Sequence, residues 1–481
     1  MFKATPFSRD PRLDLVFCSL LGVAVLAVKL GIFVCDHEPR LFLGDSASYL
    51  HSALSGWVPP DRSFLYGFMI GWLALPLHRL DVVVLAQVMT SAATVVLLIA
   101  IVRKTAGRGC AKIWWLAGFL VFAPIQLTYE RFILTETVTE FVVVAQLVLA
   151  AGYLRNPRVI WLLGMAFLSF FMVALRVSVL PNIIVGAFLV PLLGWLPRWF
   201  GRSDGEAGKI ARTGVSHLIL SVLLTVAGLV AYQCVYAHVS GNPPGFHSRQ
   251  GYFLLATVSP LVRPEDLPDA GLRAAVYAPG GIDPRDASMR NAQLFMSQGM
   301  LPRMERYLWS NPLATDRLAR KIAVHVILRH PMNFVRLGWQ NARVYLTQAS
   351  LANLARLDRG DRAVSPEFQE ILVKRLNFHP RSTVEALSPV LRFFSSALIW
   401  YQFLFLGAIP LAMASIVIGS QDCDRPRSGL MILVGIHLLV AMGVTIWLAP
   451  AASLRYLHLI ELLFILTAGL VFLGSKKEGR V

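Results

Sequence analysis

The sequence predicts an all-α protein that crosses a membrane about ten times. Of its 481 residues, 56% are hydrophobic and only 15% are charged, and the mean hydropathy is +0.60. A soluble chain of this length has an apolar content nearer half and a charged content nearer a quarter. The composition therefore indicates an integral membrane protein. It excludes a basic, soluble nucleic-acid-binding protein, whose charges would lie on a water-exposed fold.

The hydrophobic segments can be sorted by length, because about 20 apolar residues are needed to cross ~30 Å of hydrocarbon. Ten segments are counted, of which the third and fifth are short. The first lacks a small-residue cleavage site, so we expect a retained helix rather than a signal peptide. The predicted spans are 13–35, 82–102, 113–127, 137–154, 159–175, 180–196, 215–237, 393–419, 429–448 and 456–474.

The distribution of Lys and Arg predicts the orientation, since short basic loops stay in the cytoplasm. Basic residues gather at the amino terminus, in alternate short loops and in the carboxyl-terminal tail, so both termini are expected to be cytoplasmic. Three parts follow. They are an amino-terminal transmembrane module over 1–237 with a first outside loop at 36–80, an outside region of loops and a helical cap over 238–392, and a carboxyl-terminal transmembrane module over 393–481.

The net charge and the cysteine content limit which ligands and metal ions the protein is expected to bind. The formal net charge is +17, which suits anionic lipid headgroups or a phosphate-bearing substrate. The five cysteines have no metal-ligand spacing and imply no disulfide framework. His325 and His330 belong to no HxxH or HExxH motif, so we expect a helix-surface and a helix-end residue rather than metal ligands.

The first outside loop predicts an ordered, re-entrant element. After Asp45, apolar side chains recur at the spacing of an amphipathic helix in the membrane interface. They are Leu50, Ala53, Leu54 and Trp57. Pro59-Pro60 ends this helix, and a second apolar element follows Arg62 and Tyr66. Asp45 stands where a carboxylate can cap the helix.

Charged residues at other span boundaries are expected on the same outer face. Burial of charge at a span boundary is costly unless the groups face a water-filled cavity or each other. Five sequence-remote elements contribute them: Asp45, Arg62, the group Glu130, Arg131 and Glu136, Arg176, and Arg455 beside Tyr456. A carboxylate among arginines suits a phosphate-linked lipid substrate, with Arg holding the phosphate and the carboxylate free for base chemistry.

The order of these motifs resembles a known family. GDSASYL at 44–50, Arg62 followed by Tyr66, ERFILTE at 130–136 and the late Arg455-Tyr456 pair look like the GT-C superfamily of polyprenyl-phosphate-sugar-dependent membrane glycosyltransferases. The nearest branch is the bacterial protein-mannosyltransferase and aminoarabinose-transferase type. A helix followed by His-Pro at 322–331 is similar to a stretch in the outside domains of these enzymes.

The resemblance implies a site and an activity. Asp45 is the expected catalytic residue, and no metal ligands are assigned. The residues expected to bind the donor phosphate and substrate are Tyr49, Arg62, Tyr66, Glu130, Arg131, Glu136, Arg176, Arg455 and Tyr456. The expected reaction is inverting transfer of a sugar from a polyprenyl-phosphate carrier to a glycan, lipid or protein acceptor, at the extracytoplasmic face of a bacterial inner membrane. Because the first-loop motif holds one acidic residue rather than a pair, the resemblance implies no definite cofactor. A divalent cation remains an alternative.

Structural roles and other functions remain alternatives. Asp45 is also explained as a helix cap, Glu130 and Arg131 as an ion pair between helices, and Arg62 and Arg176 as side chains that reach lipid headgroups. Among functions, an oligosaccharide ligase of the O-antigen type would use a diphosphate carrier. A lipid-linked sugar flippase or transporter would instead carry its charged site near the membrane midplane.

Overall fold

The computed structural model describes residues 11–106, 110–199, 204–359, 364–380, 388–422 and 424–473. Within these ranges the chain is helical and holds no strand, and a single parallel bridge joins Arg40 to Phe132. The all-helical prediction is confirmed for this part of the chain. The amino-terminal ten residues and the basic tail from 474 onwards, used above to assign orientation, lie outside the described residues.

The helices are numbered in chain order. They are α1 Pro11–Cys35, α2 Leu43–Ser55, α3 Leu65–Ala74, α4 Asp81–Ala106, α5 Cys110–Val121, α6 Pro124–Tyr129, α7 Glu136–Arg155, α8 Val159–Leu175, α9 Leu180–Trp199, α10 Asp204–Ser240, α11 Gln250–Val258, α12 Ala270–Val276, α13 Arg290–Phe295, α14 Met300–Tyr307, α15 Pro312–Arg329, α16 Pro331–Val344, α17 Gln348–Asp358, α18 Pro366–Leu376, α19 Pro389–Ser396, α20 Leu398–Gln421, α21 Arg425–Gly443 and α22 His458–Phe472. A π-helix at Val444–Leu448 and a 3₁₀ turn at Leu454–Leu457 connect α21 to α22.

Eight helical segments among the described residues are long and apolar enough to cross a membrane. They are Val16–Cys35, Asp81–Lys104, Glu136–Arg155, Val177–Trp195, Thr213–Ser240, Leu398–Gln421, Pro426–Leu448 and Leu454–Phe472. Each overlaps a span predicted from hydropathy. Large apolar side chains on these segments stay exposed, as on a surface that faces lipid. The chain is therefore a membrane-integral helical protein.

The two remaining predicted spans are shorter in the structure. The span at 159–175 is the 17-residue α8. The span at 113–127 is not one helix, because α5 ends at Val121 and α6 begins at Pro124. Proline lacks an N–H and its ring clashes with the carbonyl four residues earlier, so it begins a new helix rather than continuing the old one.

The first outside loop folds into the two packed helices α2 and α3. Helix α2 ends at Gly56, which adopts a left-handed φ of 72°. Gly67 of α3 lies so close to α2 that an added Cβ would come 2.4 Å from Ser52 Oγ. This close approach packs α3 against α2, so the loop consists of two helices in contact.

The region 238–392, which the sequence analysis predicted to lie outside, has a hydrophobic core of its own. It is built mainly from α11, α12, α14 and α15, and Leu255, Leu301 and Val326 are fully buried in it. Residues from Ala342 to Phe394 pack instead into the main core of the membrane helices. The sequence predicted loops between 238 and about 300, yet α11, α12 and α13 lie there. Helix α11 packs against α15, α12 packs against α14, and α13 packs against α11 and α14. These are tertiary contacts, which local sequence does not report.

We predict that Gly251→Ala destabilises the outside region. A Cβ at Gly251 of α11 would lie 2.0 Å from the backbone carbonyl oxygen of Asp316 in α15, and backbone cannot rotate away as a side chain can. Overpacking of this kind costs about 1–3 kcal/mol, seen as a lower thermal unfolding temperature of the purified protein. Gly245→Ala is the control, because its nearest neighbours lie at 3.5 Å and beyond. Equal unfolding temperatures for the two variants would contradict this packing.

Candidate functional site

Asp45 lies in the first turn of α2, where its carboxylate meets two arginines. Arg62 Nη1 is 2.8 Å from Asp45 Oδ1, and Arg455 Nη1 donates to Asp45 Oδ2. The interpretation of Asp45 as a helix cap is wrong, since the N-cap position of α2 is Phe42 and Asp45 makes no hydrogen bond to a backbone N–H at that helix end. Ser46 Oγ instead accepts from the backbone N–H of Phe42 at 2.7 Å. Asp45 is therefore fully engaged with charge rather than with the helix end.

Arg455 joins this carboxylate to a second one. Its Nε lies 3.0 Å from Glu136 Oε1, and Glu136 also binds Arg176. The result is an alternating chain of charges, Arg62, Asp45, Arg455, Glu136 and Arg176, which we call the ion cluster. The sequence analysis expected these five residues on one face, and the structure brings their side chains into contact.

The ion cluster is open to a ligand on one side. The side chains of Asp45, Arg62, Arg176 and Arg455 are 13–18% exposed, whereas that of Glu136 is 1% exposed. The three guanidinium groups face the two carboxylates of the cluster, and Asp61 also pairs with Arg62 at 3.4 Å, so these six side chains together are formally neutral. An anion that approaches the arginines from the exposed side therefore competes with these carboxylates, while Glu136 holds the cluster from below.

Aromatic rings line the cluster. The Tyr456 ring centre lies 5.7 Å from the Arg455 guanidinium and 6.0 Å from that of Arg176. The Tyr49 ring lies 5.7 Å from the Arg62 guanidinium and 5.0 Å from the Tyr66 ring. Such faces stabilise cations and fix their positions.

Tyr66 is a supporting residue rather than a ligand-facing one. Its side chain is buried and its hydroxyl donates to Gln87 Oε1 at 2.6 Å. The predicted direct substrate contact for Tyr66 has no exposed polar atom to make it.

Glu130 and Arg131 do not join the ion cluster. Arg131 Nη1 lies 3.0 Å from Glu130 Oε2, and Lys29 donates to Glu130 Oε1. All three side chains are fully buried. Arg131 also donates to the backbone carbonyls of Asp36 and Leu127. These contacts match the alternative stated for this pair, an ion pair that holds helices together.

Asp358 is a positioning residue that the sequence analysis missed. Its Oδ2 accepts from Ser453 Oγ at 2.9 Å, from the backbone N–H of Leu454 at 2.6 Å and from that of Arg455 at 3.3 Å. The carboxylate therefore holds the turn that carries Arg455 into the cluster. A signal was present, because Asp358 follows Leu351, Leu354 and Ala355 at the i, i+3, i+4, i+7 spacing of the buried face of α17.

A second buried pair lies one helical turn deeper and was also missed. His458 Nδ1 is 2.8 Å from Glu140 Oε1, and both side chains are buried. Glu140 follows Glu136 by four residues and His458 follows Arg455 by three, so the two pairs stack between α7 and the start of α22. The detectable signal was ionisable residues inside apolar segments.

The electrostatic state of the site follows from these contacts. Burial raises the pKa of Asp45, but Arg62 and Arg455 outweigh burial and hold that pKa well below its ordinary value. Burial lowers the pKa of Arg62, and Asp45 with Asp61 more than restores it, so the guanidinium stays charged. In this arrangement Asp45 is ionised and weakly basic.

One loop of the outside region touches the first outside loop beside the cluster. Ser248 donates from both its backbone N–H and its hydroxyl to the carbonyl of Pro60, each at 2.9 Å. Burial, with a further contribution from Arg62, lowers the pKa of the adjacent His247 to about 4. His247 is therefore a neutral imidazole close to the cluster.

No described residues form a group of three or more His, Cys, Asp or Glu side chains that could hold a metal ion. The two carboxylates of the ion cluster are each bound by two arginines. Comparison with family models and with curated proteins finds no match to this chain.

We predict that Asp358→Asn changes the pH dependence of stability. Burial raises the pKa of Asp358 to about 6, above the ~3.9 of an unfolded aspartate. The folded chain then binds more protons between these values, so this group's contribution to stability is complete below about pH 4 and is lost as the pH rises through about 6. The loss is roughly 2–3 kcal/mol at 1.36 kcal/mol per pKa unit.

The unfolding temperatures of the wild type and Asp358→Asn should be compared at pH 4 and pH 7. Asn cannot ionise, so the variant gains on the wild type as the pH rises. A wild-type advantage that grows toward pH 7 would contradict the assignment of this buried carboxylate.

Proposed function

We propose that this protein is a membrane glycosyltransferase of the GT-C type. It transfers a sugar from a polyprenyl-phosphate carrier to an acceptor at the extracytoplasmic face of a bacterial inner membrane. The observation that carries the proposal is the ion cluster, in which five charged side chains from separate elements meet and four of them, all but Glu136, remain partly exposed. Charge in this setting is costly and is retained for a ligand.

The arrangement suits a phosphate leaving group. Arginine forks bind phosphate oxygens in pairs, and charge-assisted bonds of this kind are the strong ones. When Arg62 and Arg455 engage a donor phosphate, Asp45 loses part of their attraction and its basicity rises. Donor binding thus prepares the carboxylate that is to accept a proton.

The proposed chemical step is one displacement with inversion. An acceptor hydroxyl oxygen bonds to the anomeric carbon and its proton passes to Asp45. The bond from that carbon to the phosphate oxygen breaks, and its electron pair leaves on the phosphate, where Arg455 and Arg62 stabilise the negative charge. Tyr456 and Arg176 border the same opening and are proposed to orient the donor.

We further propose ten crossings, with both termini cytoplasmic. Helix α7 begins at Glu136 in the cluster and ends at Arg155, and α8 returns to Arg176, which binds Glu136. This return supports α8 as a full crossing despite its 17 residues. Likewise α5 and α6 connect the basic end of α4 to Glu130, which lies six residues before Glu136 at the start of α7.

A lipid-linked sugar transporter is the alternative function from another class of protein, and the depth of the buried charged residues distinguishes it from an enzyme. Cys35, Glu136 and Leu454 mark the ends of their spans nearest the ion cluster. Lys29 lies six residues from the first of these ends, Glu140 four from the second and Glu461 seven from the third. At ~1.5 Å per residue these groups lie roughly 6–11 Å from the cluster ends of their spans, whereas the midplane of a ~30 Å core lies about 15 Å in. Their depth favours support of an outer site over a midplane site.

The direct test is transfer by the purified protein. Polyprenyl-phosphate sugars are supplied in proteoliposomes, and products are identified by mass spectrometry alongside the surface glycans and lipids of a deletion strain. Transfer with release of polyprenyl phosphate supports the proposal. Release of a diphosphate identifies a ligase, and sugar-lipid movement across the bilayer without bond cleavage identifies a transporter.

We predict that Arg455→Ala weakens donor use by roughly ten- to a hundredfold, since a charge-assisted bond is worth ~1.5–3 kcal/mol. The variant should fold, because Asp45 keeps Arg62 and Glu136 keeps Arg176. Arg455→Lys should not restore donor use, because an ammonium lacks the bidentate fork.

The matched control is Arg427→Ala, since Arg427 pairs with Asp422 at 3.3 Å away from the cluster. Donor titrations in nanodiscs measure all three variants. Unchanged donor affinity in folded Arg455→Ala would assign Arg455 to packing.

We predict that Asp45→Asn lowers transfer by about 10²–10⁴-fold while donor binding is kept or tightened. Asn cannot accept the proton, yet Arg62 retains Asp61 at 3.4 Å and Arg455 retains Glu136, so the fold should persist. Removal of the competing carboxylate frees both arginines for phosphate. Asp45→Glu should be partly active, because the extra methylene displaces the carboxylate by about an ångström.

Turnover and donor affinity should be measured separately. Robust transfer by Asp45→Asn would remove Asp45 as the base and leave Glu136 as the next carboxylate to test in the cluster. A parallel loss of donor binding and transfer would indicate a structural role.

A further inference from the structure

Arg290 is a buried cation outside the ion cluster. It is the first residue of α13 and is 5% exposed. Its Nε donates to the backbone carbonyl of Ala287 at 3.0 Å, and its Nη2 donates to Asn341 Oδ1. Nη1 donates to no described residue and is not itself fully buried, so it is the side of the guanidinium that a ligand can reach. The guanidinium is thus held by neutral groups alone.

The other buried arginines are different. Arg40 pairs with Asp36 at 3.3 Å and Arg131 pairs with Glu130 at 3.0 Å. Within the described ranges, Arg290 has no carboxylate within 4.0 Å. Burial lowers its pKa to about 10, so the side chain still carries its charge at neutral pH. A buried charge without a counter-charge is strongly unfavourable, and an anion would remove that penalty.

The neighbours of Arg290 are fixed so that its position is preserved. Asn341 Nδ2 donates to the backbone carbonyl of Ile446 at 3.1 Å. Because the amide nitrogen is held there, Oδ1 must point to Arg290. One turn later on α16, the Tyr345 hydroxyl donates to the carbonyl of Ser453 at 3.0 Å. Helix α16 therefore links Arg290, through Asn341, to the segment that leads to Arg455.

We propose that Arg290 is a second phosphate-binding site, separate from the ion cluster. It takes a phosphate group of a ligand bound by the outside region, either a soluble phosphate ester or a lipid headgroup. The assignment of that ligand as the acceptor rests on the proposed function, because the cluster at the membrane is the donor site. The anion site itself does not depend on that assignment.

The test measures the binding of inorganic phosphate by the full-length protein in phosphatidylcholine nanodiscs, through the rise of the unfolding temperature with phosphate concentration. Binding to the native state raises that temperature. The variants are Arg290→Met, Arg290→Lys, Arg455→Ala and the double variant of Arg290→Met with Arg455→Ala. Arg303→Met is the control, because Arg303 is a half-buried arginine bound to the carbonyl of Ala278 at 2.8 Å in the same region.

Arg290→Met should raise the apparent dissociation constant of one phosphate site at least tenfold, and Arg290→Lys should retain part of the response. Arg303→Met should keep the response. Without phosphate, Arg290→Met should be at least as stable as the wild type, because an uncompensated charge is gone. If Arg290→Met responds to phosphate as the wild type does, the proposal is overturned. If the same variant also unfolds at a lower temperature without phosphate, Arg290 has a structural role instead.

The remaining arms separate the two sources of phosphate and the two sites. Loss of the Arg290-dependent response in phosphatidylglycerol nanodiscs identifies a headgroup as the occupant, and its persistence identifies a soluble ester. Arg455→Ala should remove a different part of the response, and the double variant should remove both. A response sensitive to Arg290 but not to Arg455 would keep this site and count against the proposed donor site.

Discussion

The contact between Arg455 and the two carboxylates Asp45 and Glu136 determines how the outer end of this protein is assembled. Asp45 belongs to the first outside loop and Glu136 to the start of α7, and Arg455 precedes α22. Without the arginine, two carboxylates would lie close together beside hydrocarbon, which is costly. The guanidinium makes their proximity favourable, and in doing so it docks the loop onto the membrane helices. Asp358 fixes the arginine in turn, through the turn at 453–455.

The sequence predicted a good part of this arrangement, and the reason is physical. Charged residues at the ends of apolar segments are few, so Asp45, Arg62, Glu136, Arg176 and Arg455 could be assigned to one membrane face before any contact was known. The helical class and eight of the spans follow from hydropathy in the same way. Hydropathy does not report the direction in which a side chain points within a short turn. For this reason Glu130 and Arg131 were grouped with Glu136. In the structure Glu130 pairs instead with both Arg131 and Lys29, and all three side chains are buried.

Other residues escaped prediction because their partners are distant in the chain. In the sequence, Asp358 is a single acidic residue on an amphipathic helix. Its hydrogen-bond partners Ser453 and Leu454 are nearly a hundred residues away in the chain, and only the folded structure places them next to it. Helix α11 depends on its contact with α15, where Gly251 permits an approach that no other residue would, and α12 and α13 pack against α14. Pro124 is the opposite case, because its effect is local. Hydropathy predicted one span over 113–127, but proline begins a new helix there and separates α6 from α5.

The charged residues along α7 and α22 lie at successive depths below the exposed side of the site. Partly exposed arginines lie outermost, Glu136 is buried beneath them, and Glu140 with His458 lies one turn deeper. In the proposed function, a ligand anion meets the cations first and competes with Asp45 for them. Since an arginine fork cannot satisfy a carboxylate and a phosphate equally at one time, phosphate binding there would be coupled to the basicity of Asp45 through the same atoms. Glu136 pairs with both Arg455 and Arg176 from its buried position, and these pairs limit how far Arg455 can move in that exchange.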